Sequence, residues 1–365
     1  MNDSITSATR IQPDDCDLFV GMDVDQRSIA LTWVNRLGIE KSLKMPHDAE
    51  VLLGWLRNQQ VGRGVGLVYE AGPTGFGLCD ALTRSGYTCL VVSPSSVPTA
   101  RGKRVRTNRL DSRKLALQLR GGGLEGIRVP SERYRQLREL VHLRRIQIGE
   151  VAKAKQRIKA LFLRNGLSFP RVTVGGYWPQ ALICELRQME CPGALGYKLG
   201  CLLDSLEFFR YQAASTQMAI RQMVESDDEL SDSVRLAMSI PGIGWIVASY
   251  AVARIGDWRL LKSSNEMSSF FGLVPSEDST GEEPDRGSIT KTGDPSLRSM
   301  LIEGAWMAIR KDAELAEFYK RTYSTHPRHL AARVAIVAVA RKLAARLHCV
   351  LKERREYQVR AKARA

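Results

Sequence analysis

The sequence predicts an α/β domain at the N-terminus, a long helical arm in the middle, and a mostly α-helical domain at the C-terminus. Three observations carry this. Apolar, β-branched runs alternate with helical patterns over the first hundred or so residues. From Ser131 to Asn165 the chain contains no proline and one glycine. The last third is helical apart from one segment rich in Gly, Ser, Thr and charge, residues 275–296. The expected boundaries are 1–130 for the α/β domain, 131–230 for the arm and 231–365 for the C-terminal domain.

In chain order, residues 17–33 (DLFVGMDVDQRSIALTW) place apolar runs on either side of a charged turn, the pattern of a β-hairpin. Residues 65–69 (VGLVY) form a second strand ending at Glu70, before the tight turn AGPTG. Residues 76–85 are helical, and 88–92 (TCLVV) make a third buried strand. In the arm, Tyr134, Leu137, Val141, Ile148, Val151, Ile158 and Phe162 follow a three-four spacing drifting toward a heptad, interrupted by Arg144 and Lys155. That stripe suits either a helix packed on its own chain or a coiled coil that dimerises. Residues 199–224 form a returning helix, and the acidic segment ESDDELSD (225–232) marks the next boundary. The tail from Arg341 onward is basic, as a solvated helix end or a phosphate-contacting segment would be.

Charge narrows the function. In 365 residues, 54 Lys and Arg stand against 39 Asp and Glu, a net charge of +15 with a pI near 9.7. Such an excess suits a polyanion, because each phosphate neutralised releases condensed counterions. Seven scattered cysteines with no CxxC pair and five dispersed histidines argue against a zinc finger or a zinc deaminase. The polar, acidic start MNDSITSATRIQPDD is unlike a secretory signal, and no apolar run reaches the length of a membrane span. The expected location is the cytoplasm, at the nucleoid, with reduced thiols.

Three acids point to chemistry. Asp23 interrupts a hydrophobic strand, where an unpaired carboxylate is costly to bury. Glu70 ends another strand, and Asp111 opens a helix after a basic loop. Delivered by one α/β domain, they could converge on paired Mg²⁺ ions, which stabilise the attacking and leaving oxygens of phosphoryl transfer. Each taken singly is also readable as a surface or capping residue, Asp111 as a helix N-cap above all.

Five segments share a resemblance. VGMDVDQRSIALTW, VYEAGPTGFGLCDALTRSGYTCLVVSPS and VRTNRLDSRKLALQLRGGGL resemble the N-terminal DEDD domain of the insertion-sequence one-ten family of transposases. SIPGIGWIVASYAVARIGD and FGLVPSEDSTGEEPDRGSITKTGDPSLRSMLIEGAW resemble its C-terminal domain. The match runs in the family's order over most of the chain, leaving mainly the first fifteen or so residues and the tail.

The resemblance implies a RuvC-like ribonuclease-H fold whose four acids bind Mg²⁺. Carried across, they fall on Asp23, Glu70, Asn108 and Asp111, with Asn108 standing where the family usually has Asp. Asn keeps one oxygen ligand and removes a charge. The family also carries a nucleophilic serine directly before a glycine, able to join covalently to a DNA phosphate. Here Thr280 precedes Gly281 and Ser279 stands one place earlier. Position selects Thr280; the less hindered primary hydroxyl favours Ser279. Gly242 and Gly244 of the PGIG turn resemble a helix-hairpin-helix approach to phosphate. Arg286, Lys291 and Arg298 around the hydroxyls are natural partners for the scissile phosphate. Arg101, Lys103, Arg104, Arg106 and Arg109 form a basic run beside the acids, either holding nucleic-acid backbone or simply solvated. The implied partners are donor and target DNA, a structured guide (bridge) RNA, and other copies of the chain in a homodimer or homotetramer.

The main rival is a RuvC-like nuclease that cleaves branched DNA by water attack, using the acids but neither hydroxyl. A basic nucleic-acid-binding protein without metal is a non-enzymatic reading. A P-loop enzyme is not supported, because GxxxxGK[ST] does not occur.

Overall fold

The computed structural model describes residues 10–59, 62–97, 107–170, 177–277 and 286–359. The chain forms two compact units, Met1–Ser131 and Glu132–Ala365, so the two long helices of the arm belong to the same unit as the C-terminal helices.

The first unit is a mixed five-stranded sheet with helices, in the manner of ribonuclease H. Its strands are β1 (Cys16–Val24), β2 (Ser28–Asn35), β3 (Glu40–Pro46), β4 (Gly64–Glu70) and β5 (Thr88–Val92). Their order is β3-β2-β1-β4-β5. The first three pair antiparallel, while β1–β4 and β4–β5 pair parallel. Strand alternation divides the core between the two faces. Leu18, Val20, Met22, Leu67 and Tyr69 pack on one face with α1 (Ala49–Arg57) and α2 (Gly77–Arg84). Phe19, Val68, Leu90 and Val92 pack on the other with Leu115 and Leu119 of α3 (Asn108–Arg120). The sequence pattern did not disclose β3 because it is an edge strand whose Lys41, Ser42 and Lys44 break the apolar alternation.

Helix α3 lies directly on β1. A Cβ on Gly21 would sit 2.1 Å from the Ser112 carbonyl oxygen and 2.4 Å from the Ala116 nitrogen. No side chain can occupy that position without moving helix backbone. Beside it, the buried Thr32 and Ser112 hydroxyls share a hydrogen bond of 2.9 Å, and Thr32 makes another to Ser42 at 3.0 Å. Glycine contact and hydroxyl chain together fix both the height and the rotation of α3.

In the second unit α4 (Glu132–Arg164) and α6 (Gly193–Glu225) form an antiparallel hairpin. Tyr134, Leu137 and Val141 share a core with Ile220 and Val224, while Ile158 and Phe162 share one with Leu199 and Leu203. The predicted stripe is therefore consumed within its own chain. Only Ile148 of the seven is exposed, and Val151 is partly buried against the same cluster. The interruptions are accommodated too. Arg144 donates through Nε and Nη2 to Gln217 Oε1, at 3.2 and 3.0 Å, and the Lys155 ammonium stands 5.8 Å from the Trp178 ring centroid. Burial lowers the pKa of both basic groups.

The remaining helices are α5 (Gln180–Gln188), α7 (Asp228–Met238), α8 (Trp245–Ile255), α9 (Ser264–Phe270), α10 (Pro295–Lys311), α11 (Ala313–Ser324) and α12 (Arg328–Glu353), with a small ribbon of β6 (Pro275–Glu277) and β7 (Arg286–Ile289). Half-buried Arg138 donates to the carbonyls of Ala253 and Arg254, closing the C-terminus of α8; burial brings its pKa down to about 10. Among the described residues no helix is long and apolar enough to cross a membrane.

The basic tail is tied down in part. Arg354 pairs with Asp232, Glu356 with Arg235, and the Tyr357 hydroxyl donates to Asp312 Oδ2 at 3.0 Å. Asp312 caps α11 and pairs with Arg346 at 2.7 Å, both side chains being largely buried. Burial alone would raise the Asp312 carboxyl; the Leu315 N–H and Arg346 outweigh it and hold it below its usual range. Its contribution is therefore complete above the ordinary carboxylate range and is lost as pH falls through the lowered value. Asp312→Ala leaves Arg346 buried without its main partner and should cost about 3–5 kcal/mol in denaturant unfolding of the full chain. A loss below about 1 kcal/mol would mean the pair is not holding α11, α12 and the tail together.

Candidate metal and nucleic-acid site

Strand parity brings two of the predicted acids to one place. Asp23 shares its face of β1 with Phe19 and Gly21, and Glu70 shares its face of β4 with Val68, the face that α3 covers. In the parallel register Met22 is opposite Tyr69, so Asp23 and Glu70 follow as neighbours one step later. Helix α3 runs back along this face. Leu119 reaches Gly66, and Ser112 and Ala116 cover Gly21. Its first turn, with Asn108 and Asp111 three residues apart on one side, is thereby carried toward the strand ends.

This placement has an electrostatic consequence. The Asp23 carboxyl is held above its ordinary value, first by burial and then by the negative charges of Asp111, Glu70 and Asp25. The N-cap of α3 is Thr107, whose side chain accepts from the Leu110 N–H, so Asp111 is not spent on capping. Ser112, Thr32 and Gly21 are functional supports that motif reasoning missed. Their signal is steric, and it exists only once β1 and α3 are superposed.

Arg109 is exposed on the same first turn. Arg101, Lys103, Arg104 and Arg106 lie outside the described residues, as do Ser279 and Thr280; Arg286 is described only as backbone, in β7.

In the second unit, the predicted phosphate-binding residues divide. A Cβ on Gly242 would lie 2.2 Å from the Gly304 carbonyl oxygen, and one on Gly304 would lie 2.6 Å from that of Gly242. The close approach that requires glycine at 242 is thus to helix α10 of the same chain. Gly244, by contrast, faces open space at the start of α8. Arg298 Nη1 donates to the carbonyls of Phe271 and Thr292, at 3.2 and 3.0 Å, pinning the turn in which Lys291 takes a left-handed φ of 55°. That left-handed backbone is unusual for a residue with a long side chain. Lys291 itself is exposed.

Residues 20–165 match the DEDD transposase family, and residues 234–320 match the family described as Transposase IS116/IS110/IS902. The chain belongs to the IS110/IS116/IS902 family of transposases. Among relatives of this transposase family, a Sinorhizobium fredii protein named "Putative transposase y4qE" is 31% identical over 65% of this chain and 57% of its own length. A second from the same organism, "Putative transposase y4rJ", is 25% identical over 94% of this chain and 93% of its own. The "Transposase for insertion sequence element IS1328" of Yersinia enterocolitica is 28% identical over 54% and 57%. The chain thus spans a little over half of the first and third of these relatives and nearly all of the second.

A DEDD transposase domain implies a divalent metal. The donor set fits one in chemistry: three carboxylates and a carboxamide supply hard oxygen ligands, and three like charges call for a cation. Among the described residues, however, no three Asp, Glu, His or Cys side chains stand close enough to form a finished metal centre. Asp23, Glu70 and Asp111 make a charge-coupled cluster, not the closed cage expected from four ligands.

The raised carboxyl of Asp23 has a consequence for stability. A carboxyl whose folded value lies above its unfolded value loses stability as pH rises through that interval. At neutral pH its ionised form therefore works against folding. Asp23→Asn should raise the melting temperature of the metal-free protein at pH 7 and leave it nearly unchanged at pH 3, measured by scanning calorimetry in chelator. A lower melting temperature at pH 7 would contradict the like-charge cluster.

Proposed function

We propose that the chain is a DNA transposase that cuts and rejoins strands with a Mg²⁺ site at Asp23, Glu70, Asn108 and Asp111 and a hydroxyl nucleophile at Ser279 or Thr280. The observation that carries the reading is the meeting of Asp23, Glu70 and the first turn of α3 on one sheet face, in a chain that matches both family halves in order. A divalent ion there would neutralise charge on the phosphate oxygens being exchanged. The residues themselves do the rest. The acids orient the ion, and exposed Arg109 and Lys291 offer cations to the DNA backbone. The hydroxyl oxygen bonds to phosphorus as the deoxyribose oxygen leaves and takes up the proton. The phosphodiester is conserved in the protein–DNA link, so a strand hydroxyl can reverse the step and rejoin.

The proposed partners are donor and target DNA and a structured bridge RNA, with action at the nucleoid in the cytoplasm. The net charge of +15 supports a polyanionic partner. A dimer or tetramer through the helical arm is supported by α6, where Tyr197, Phe208, Tyr211 and Met218 fall on one side of the helix and are exposed. This replaces the Val141 and Val151 seam, which is buried against α6 of the same chain. Tyr211→Glu with Met218→Glu should lower the solution mass by light scattering without lowering helix content. An unchanged mass would remove this face as the interface.

Asp23→Ala, Glu70→Ala and Asp111→Ala should each reduce recombination of a supercoiled substrate by at least about a thousandfold, as expected when metal-dependent charge stabilisation is lost. Asn108→Asp should stay active and need less Mg²⁺. Of Ser279→Ala and Thr280→Ala, one should lose the covalent DNA adduct and the other keep it, as read by peptide mapping. Wild-type cleavage without any adduct would favour water attack instead.

A further inference from the structure

The C-terminal helices carry an exposed aromatic series that the strand-exchange chemistry does not use. Trp306 on α10 stands 5.7 Å, centroid to centroid, from Tyr319 on α11, which stands 6.0 Å from Tyr323. Trp306 and Tyr323 keep 36% and 38% of their surface open to solvent, and Tyr319 between them is partly buried against the core. The successive rings are tilted by 59° and 36° and are not stacked face to face on one another.

The ladder opens from a groove. Trp306, Met307, Glu303 and Arg310 line an open depression of about 880 Å³ whose floor is the Gly242–Gly304 crossing. Arg310 follows Trp306 by four residues, on the same side of α10. Lys311 comes next, and Lys320 lies between Tyr319 and Tyr323 on α11. All three cations are exposed, and none has an ion-pair partner among the described residues. Among the described residues Glu303 is the one acid in the groove wall, three residues before Trp306, so the charge changes sign from there to Arg310 and Lys311 at the end of α10.

Exposed aromatic faces interleaved with unpaired cations suit an unpaired nucleic-acid strand. Every base has a π-face to stack, while the phosphates need charge alone. A duplex offers its phosphates but keeps its base faces covered. A protein partner would use the rings but leave Arg310, Lys311 and Lys320 without anions. We propose that Trp306, Tyr319 and Tyr323 form a stacking platform for unpaired bases of a nucleic-acid strand, with Arg310, Lys311 and Lys320 on its phosphates. This rests on the strand-exchange reading, since cutting and rejoining require bases to leave one duplex before entering another.

The test uses the full chain with a short labelled oligonucleotide as single-stranded DNA, single-stranded RNA, duplex DNA and abasic single-stranded DNA. Fluorescence anisotropy is measured for wild type, Trp306→Leu and Tyr323→Leu. Each substitution should weaken binding of a base-bearing single strand by about tenfold. Duplex and abasic binding should stay unchanged, and the sugar that shows the larger effect identifies the strand as DNA or RNA. Equal affinity of variants and wild type for single strands overturns the proposal. So does an equal loss on duplex, which would signify general damage, or a change in solution mass in place of a change in binding, which would assign the face to another copy. Strand cleavage by the wild type is followed in parallel. Its absence counts against the enzyme reading, whereas intact cleavage with unchanged single-strand binding in the variants counts against the platform alone.

Discussion

The contact of helix α3 with β1 at Gly21 determines the N-terminal site. With no side chain at that position, the helix backbone comes within the distance that a single carbon would fill. Tight contact alone would leave α3 free to slide or roll. The buried Ser112–Thr32 hydrogen bond removes that freedom, because a hydroxyl pair in the core is stabilising only in the arrangement that satisfies both partners. Asp111 adjoins Ser112 in sequence, and Asp23 lies two residues beyond Gly21. The position of each acid is thus fixed by a packing feature next to it, and the repulsion among the acids is borne by that packing.

The C-terminal unit repeats the device with a different outcome. Gly242 and Gly304 let the turn before α8 cross α10 at backbone distance, and Gly272 and Gly293 do the same for the turn that carries Lys291. Any Cβ on Gly293 would meet the Phe270 carbonyl oxygen at 2.1 Å. These contacts fasten the segments on either side of residues 278–285 to the helical core. Arg298, which the sequence offers as a phosphate ligand, holds the same Thr292 carbonyl and that of Phe271. Arginines in this unit thus often serve the fold: Arg138 closes α8, Arg346 fixes Asp312, and Arg354 anchors the tail. Net positive charge alone therefore overstates the surface left for nucleic acid.

The elements written in apolar periodicity were legible: the hairpin of β1 and β2, the strand ending at Glu70, the helix after AGPTG, and the two long helices. The edge strand β3 was not, because half-exposed Lys and Ser carry no alternation to detect. The hydrophobic stripe of α4 was visible, but periodicity cannot say whether the covering helix belongs to the same chain, and here it does. At the site, Asp23 stood out as a charge within an apolar strand and Glu70 as a strand terminus. Their adjacency required the β1–β4 register, and the glycine and hydroxyl supports required knowing which face α3 covers. The helix contact of Gly242 in the PGIG turn was hidden for a related reason: a glycine that admits phosphate and one that admits a neighbouring helix look alike in sequence.

The central proposal is that Asp23, Glu70 and Asp111 together hold a divalent cation, and metal-linked stability tests it most directly. A ligand that binds only the folded state stabilises it by about 2.7 kcal/mol at a hundred times its dissociation constant. Thermal unfolding of wild type, Asp23→Asn, Glu70→Gln and Asp111→Asn should be followed across a Mn²⁺ titration, with Ca²⁺ and Mg²⁺ as comparisons. The account predicts that wild type gains melting temperature with saturation and that each substitution removes most of that gain. Equal metal-dependent stabilisation of all four proteins, or none in the wild type, would contradict it.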